Sequence, residues 1–216
     1  MSDTLAQLIT KIQDLLGDDG TVFDTTLCTA SIRRALQKFN KHAPVNAADL
    51  IDTVTDQYEY ELSDADSRAI SILDILQRSD TADEIDHPIT FDQYSEDERL
   101  FFRLRLPIIT GKFIIARYTI PHTINGLDSG TESTVPAWQN ETLVVGSAGF
   151  ALQTRAFARV ETINLNQGVS KNYQELSKIY NDEFMQQLQD YARTKRAPVG
   201  EPDTRAWNDR YHNWGQ

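Results

Sequence analysis

Leu5, Leu8, Ile9, Ile12, Leu15 and Leu16 recur at intervals of three and four, so the first apolar run of the chain predicts an amphipathic helix. Asp3 or Thr4 is placed to cap its start, and Gly17 to end it. After the turn Gly17-Asp18-Asp19-Gly20, a second helical run carries Leu27, Ile32, Leu36 and Phe39, capped by Asp24 or Thr25 and stopping before Pro44. From about Leu50 the period shortens to two, with Val54, Tyr58 and Tyr60 in one phase. Further strands are predicted at Ile70 to Leu76, Ile89 to Phe91, Leu100 to Leu106 and Phe113 to Ile120, with acidic connections Asp80 to Asp86 and Glu96 to Glu98.

The small, polar stretch Asn125 to Thr134 reads as a mobile loop returning the chain to helix, with Pro136 near the next helix start. Leu143, Ala148, Ala151, Leu152, Ala156 and Phe157 form one apolar face of a long helix, in which Gly146 and Gly149 permit close approach to a neighbour. A last long helix carries Tyr173, Leu176, Tyr180, Phe184, Leu188 and Tyr191, and basic Arg193, Lys195 and Arg196 suit its C-terminal dipole. A short connection makes these two helices an antiparallel hairpin. The expected class is α+β, in which N- and C-terminal helices form one bundle around an inserted antiparallel sheet or small sandwich. The expected boundaries are 1–48 and 133–196 for the bundle, 49–132 for the insertion, and 197–216 for an extended tail.

That tail contains Pro198, Gly200 and Pro202, then Trp207, Tyr211 and Trp214 at a spacing that aligns the rings on one face of a short helix. Large aromatic rings are candidates for docking on a neighbouring subunit or partner, with docking on the chain's own core the alternative.

Composition narrows the function classes. With 216 residues, 40% hydrophobic and 25% charged, the chain can bury a core without metal or disulfide staples. Its net charge of -11 is spread along the sequence, which argues against tight wrapping of nucleic acid but is compatible with lining a passage along which DNA slides. Cys28, the single cysteine, reads as a buried small residue, and no apolar run is long enough for a membrane span. Nor does a basic region followed by an apolar stretch open the chain, so a soluble, unexported protein is expected.

Candidate chemistry is sparse. His42, His87, His122 and His212 fall in no metal-ligand spacing, and a structural role is expected of His122 at a strand end. Leu143 to Phe150 imitates a glycine turn over a phosphate but lacks both the dinucleotide fingerprint and the P-loop Lys-Ser/Thr. The acidic groups Asp80-Asp83-Glu84-Asp86 and Glu96-Asp97-Glu98 lack the EF-hand glycine and final glutamate, so they read as solvated turns. No catalytic, cofactor or metal residue is assigned, and a non-enzymatic structural protein is expected.

The order of elements resembles the head-to-tail connector, or adaptor, proteins of tailed bacteriophages. The resemblance is carried by Ile32-Arg33-Arg34-Ala35-Leu36-Gln37-Lys38-Phe39-Asn40 with Ala43-Pro44, then by the strand-rich insertion through Phe113-Ile114-Ile115-Ala116-Arg117-Tyr118, Pro121-His122 and Val135-Pro136. It continues into Leu143 to Phe157 and the final helix, and covers most of residues 5 to 195. The resemblance implies a homo-oligomeric ring, commonly of twelve copies, docked under the portal protein, joined to a tail or stopper protein and touched in passing by DNA in its channel. It also implies residence in the virion neck, no cofactor, and a C-terminal segment reaching into the portal. The family does not fix Trp207, Tyr211 or Trp214 as contacts, and the β insertion departs from its smallest all-helical members. Another virion tail-completion protein, or a small cytoplasmic enzyme or ligand-binding domain with a site between sheet and helices, remains open as an alternative.

Overall fold

Local capping explains where the first helices begin. In a computed structural model describing residues 2–54, 56–62, 69–78, 87–96, 99–105, 113–161 and 167–196, α1 spans Leu5–Leu16 and α2 spans Thr25–His42. Thr4 caps α1 in a reciprocal box with Gln7, and Gly17 ends it at φ 63°, a left-handed conformation that glycine adopts without steric penalty. Asp24 caps α2 by accepting from the Leu27 N–H at 2.8 Å. Between them, Asp18 accepts from the N–H groups of Gly20, Val22 and Phe23 and the Thr21 hydroxyl. Desolvation would raise its pKa, but these donors together hold the carboxyl below its ordinary value.

The strands follow: β1 (Val45–Asp52), β2 (Glu59–Glu61), β3 (Ser71–Arg78), β4 (His87–Pro88), β5 (Phe91–Glu96), β6 (Arg99–Leu104) and β7 (Phe113–Ile120). All pairings are antiparallel, giving sheets of order β1-β7-β3-β4 and β2-β6-β5. Their facing side chains, Tyr60, Leu62, Ile72, Ile75, Phe102, Leu104, Ile114, Ala116 and Tyr118, bury one another in a core of their own. The insertion is therefore a small two-sheet sandwich. Tyr60 stacks on Phe102 at 5.5 Å, and Ile72 N–H donates to Gln93 Oε1 at 2.9 Å from one sheet to the other.

Three strand expectations change, the first being the strand predicted at Ile89 to Phe91, which begins only at Phe91 and runs on to Glu96. β1 was not anticipated, because its inward positions Val45, Ala47, Asp49 and Ile51 include two alanine-sized or charged residues that dilute the alternation. It nonetheless pairs with β7 along its whole length, from Val45↔Ile120 to Asp52↔Phe113. The alternating run from Val54 to Tyr60 is not one strand. Asp56 turns at φ 58°, Val54 and Tyr58 are exposed, and only Glu59–Glu61 pair.

Past β7, residues 121–136 were expected to include a mobile return loop; they form a pinned corner. Ile124 and Leu127 enter the helical core. Gly126 N–H donates to the Gly130 carbonyl, Asn125 N–H to Ser133 Oγ, and Leu5 N–H to the Asn125 carbonyl, tying the corner to α1. A 3-10 turn, Ala137–Gln139, leads into α3 (Asn140–Glu161), followed by α4 (Gln167–Arg196). α1 to α4 share one core that includes Ile12, Ile32, Phe39, Leu143, Ala151 and Phe184. No helix among the described residues is long and apolar enough to cross a membrane.

Candidate functional site

The helical hairpin has the most distinctive surface of the molecule. α3 and α4 run antiparallel: Ser170 Oγ donates to the Ala156 carbonyl at 3.1 Å, Ser177 Oγ to the Gly149 carbonyl at 2.9 Å, and Trp138 meets Tyr191 at the opposite end. Such hydroxyl bonds to a partner helix require nearly touching backbones. Gly146 and Gly149 provide the gap: a Cβ at Gly146 would lie 2.7 Å from the Phe184 ring, and one at Gly149 would lie 2.8 Å from Asn181 Oδ1. The glycine phrase Leu143 to Phe150 thus lies wholly within a helix, and the turn needed to cradle a phosphate is not formed there.

Two apolar side chains assigned to buried faces point elsewhere. Phe157 is 60% exposed and Leu176 is 43% exposed, while Ile179 is 59% and Trp138 is 69% exposed. At about 100° per residue, Phe157 is rotated off the face that Ala156 turns toward α4, so a residue-count pattern groups what geometry separates. Trp138 tilts against half-buried Tyr191, with ring centroids 5.3 Å apart. Single exposed apolar residues are common, and these are spread along the hairpin, with Phe157 near the Ser170 end and Trp138 at the other. Trp138 was not singled out in the sequence; its place just before a helix cap resembles that of any staple residue.

Between α3 and α4 lies a groove of about 300 Å³ lined by Gln153, Phe157, Ser177, Lys178, Asn181 and Asp182. Gln153 Oε1 and Asn181 Oδ1 are buried there without a hydrogen-bond partner among the described residues. At the junction of bundle and sandwich, His122 is buried. Its Nε2–H donates to the Ala43 carbonyl at 2.8 Å, Nδ1 accepts from the Thr134 hydroxyl at 3.2 Å, and its N–H donates to Asn40 Oδ1 at 2.9 Å. The carbonyl needs a donor, which selects this tautomer. The ring also packs edge-on against Phe39. His122 therefore fixes the start of β1 against the end of β7.

Cys28 is fully buried. Burial, then the nearby carboxylates Asp24 and Asp18, push its thiol up to about 11, against the weaker pull of Arg155. A thiol-specific disulfide reagent at pH 7.5 is expected to label Cys28 only after the chain is unfolded in denaturant, with absorbance of the released thiolate as the readout. Rapid labelling of the folded protein would contradict the burial.

No group of His, Cys, Asp and Glu among the described residues is arranged to hold a metal ion. His212, the whole acidic segment 80–86, and Trp207, Tyr211 and Trp214 lie outside the described residues.

No protein-family model and no curated protein matches the chain. Among solved structures, a chain in the neck of an empty gene transfer agent particle computed with C6 symmetry is similar at 12% identity, over 66% of this chain and 75% of that one, with a TM-score of 0.31. A chain in the virion of a native gene transfer agent particle gives 12% identity over 69% of this chain and 77% of that one, with a TM-score of 0.32. Scores this low carry no argument for a shared fold or role.

Proposed function

We propose that this chain is a structural virion subunit, a connector that forms a ring beneath the portal and joins the DNA-filled head to the tail. What supports the reading is the set of large apolar side chains left outside on a rigid hairpin, namely Trp138, Phe157, Leu176 and Ile179, together with the order of elements that resembles the connector family. A subunit of this kind works mechanically: helix faces meet neighbouring subunits, the sandwich meets the next component, and the tail anchors the ring. No bond is made or broken.

The tail carries the most direct test. In this reading Trp207, Tyr211 and Trp214 dock on the portal, and buried aromatic anchors dominate interface energies. Ending the chain after Arg196 is expected to weaken binding to its portal protein by about a hundredfold or more, read by surface immobilisation or co-sedimentation. Unchanged binding would remove the tail from the interface.

A further inference from the structure

In an acidic chain, α2 carries Arg33, Arg34, Lys38 and Lys41 between Thr25 and His42 and no Asp or Glu. Arg34, Lys38 and Lys41 stand four and three residues apart, on the side of the helix opposite the buried Ile32, Ala35 and Phe39. Other arginines are already paired: Arg33, Arg99, Arg103, Arg105, Arg117 and Arg155 each face a carboxylate. Arg34, Lys38 and Lys41 have no carboxylate partner among the described residues. With Gln37, Asn40 and Ile70 they line a groove of about 470 Å³, a volume in the range of small-molecule sites, and no carboxylate of the described residues lines it.

Two of the donors are held in place. Arg34 lies 4.4 Å above the buried Phe150 ring, a contact that takes the flat face of the guanidinium and leaves its N–H edge for an acceptor. Asn40 Oδ1 accepts the His122 N–H at 2.9 Å, which settles the two ends of the amide, and its Nδ2 has no acceptor among the described residues. The groove thus offers a guanidinium edge, two ammonium groups and amide N–H groups, beside one apolar wall from the half-exposed Ile70. Such an inventory calls for acceptors and negative charge. A phosphate group supplies close to two charges and three acceptor oxygens, and its hydrogen bonds to Arg and Lys are charge-assisted.

We infer that the α2 groove binds a small, multiply charged phosphate ester, its phosphates held by Arg34, Lys38, Lys41 and the Asn40 amide and its organic part lying against Ile70. Size follows from the helix. From Arg34 to Lys41 is seven residues, about 10 Å along the axis, so the cations cover the length of a compact ligand. The chain as a whole carries a net charge of -11. A compact anion gathers the local attraction, whereas an extended nucleic-acid strand would also meet the repulsion of the surrounding surface. The site is independent of the proposed assembly, since it needs neither a second copy of the chain nor a portal.

Titration calorimetry of the full-length chain with metal-free adenosine triphosphate, at about 50 mM salt where screening is weak, tests the site. Two double variants are compared, Lys38→Gln with Lys41→Gln in the groove and Lys171→Gln with Lys178→Gln on α4. All four lysines are exposed, so both variants are expected to fold with unchanged circular dichroism, and both change the net charge equally. The wild type is expected to bind one triphosphate per chain. The groove variant is expected to bind it at least about tenfold more weakly, and the α4 variant as tightly as the wild type. A wild type that binds no triphosphate, or two variants weakened alike, would overturn the site, the second result leaving only diffuse attraction. Inorganic phosphate bound as tightly as the triphosphate would remove the ester. Duplex DNA, or vesicles carrying phosphoinositides, bound through Lys38 and Lys41 more tightly than the triphosphate would also overturn the small ligand and assign the groove to that surface.

Discussion

Gly146→Val is expected to lower the stability of the helical bundle by about 3 kcal/mol. Two terms oppose each other. Removing a helix-interior glycine gains up to about 1 kcal/mol from reduced backbone entropy, somewhat less for a β-branched residue. Against this, the first added carbon would sit 2.7 Å from the Phe184 ring, well inside the roughly 3.5–4.0 Å at which carbon atoms rest. Phe184 is 1% exposed and packs edge-on against Phe150, so the ring has nowhere to go and the helices must part. Parting them would stretch the Ser177 bond to the Gly149 carbonyl. Denaturant midpoints followed by helical circular dichroism measure the loss. Adding Phe184→Leu to Gly146→Val is expected to recover part of it, since a smaller side chain vacates the contested volume. A valine variant as stable as the wild type would mean the helices are further apart than described.

Phe102→Ala is expected to destabilise the sandwich by about 3–5 kcal/mol while leaving the bundle largely intact. Phe102 is fully buried between the sheets and stacks on Tyr60, and truncation leaves a cavity that the flanking strands cannot collapse to fill. The selectivity follows from the two separate cores, one of helices and one of strands. They communicate through the short covalent links around Ala43 and His122, where the carbonyl of one segment is held by the ring of the other. Hydrogen exchange read by mass spectrometry is expected to speed up in peptides covering β6 and β7 and to stay slow in α3. Equal acceleration in both would show a single cooperative unit.

The helices were legible because each carries its own boundary signals. Thr4, Gly17 and Asp24 act within a few residues of where they stand, and the apolar spacing of α1 and α2 needs no knowledge of what lies opposite. The sandwich was legible in class but not in detail. Ala47 and Asp49 share the inward side of β1 with Ile51, and only the pairing with β7, some 70 residues later in the chain, makes that segment a strand. In the opposite direction, Val54 and Tyr58 kept the right period on a stretch that the turn at Asp56 interrupts.

The candidate surface divides the same way. The three-residue spacing of Gly146 and Gly149 is plain in the sequence, but that they face Phe184 and Asn181 depends on how α4 is laid against α3. Phe157 and Leu176 have the composition of core residues and lie outside it, because a helix buries only the arc its neighbours cover. By itself, the sequence determined the α+β class and the limits of the capped helices, since these depend on interactions between residues close along the chain. The tertiary structure decided which apolar residues stay in water and how the strands register. Those outcomes depend on contacts between distant segments, whose geometry no local period encodes.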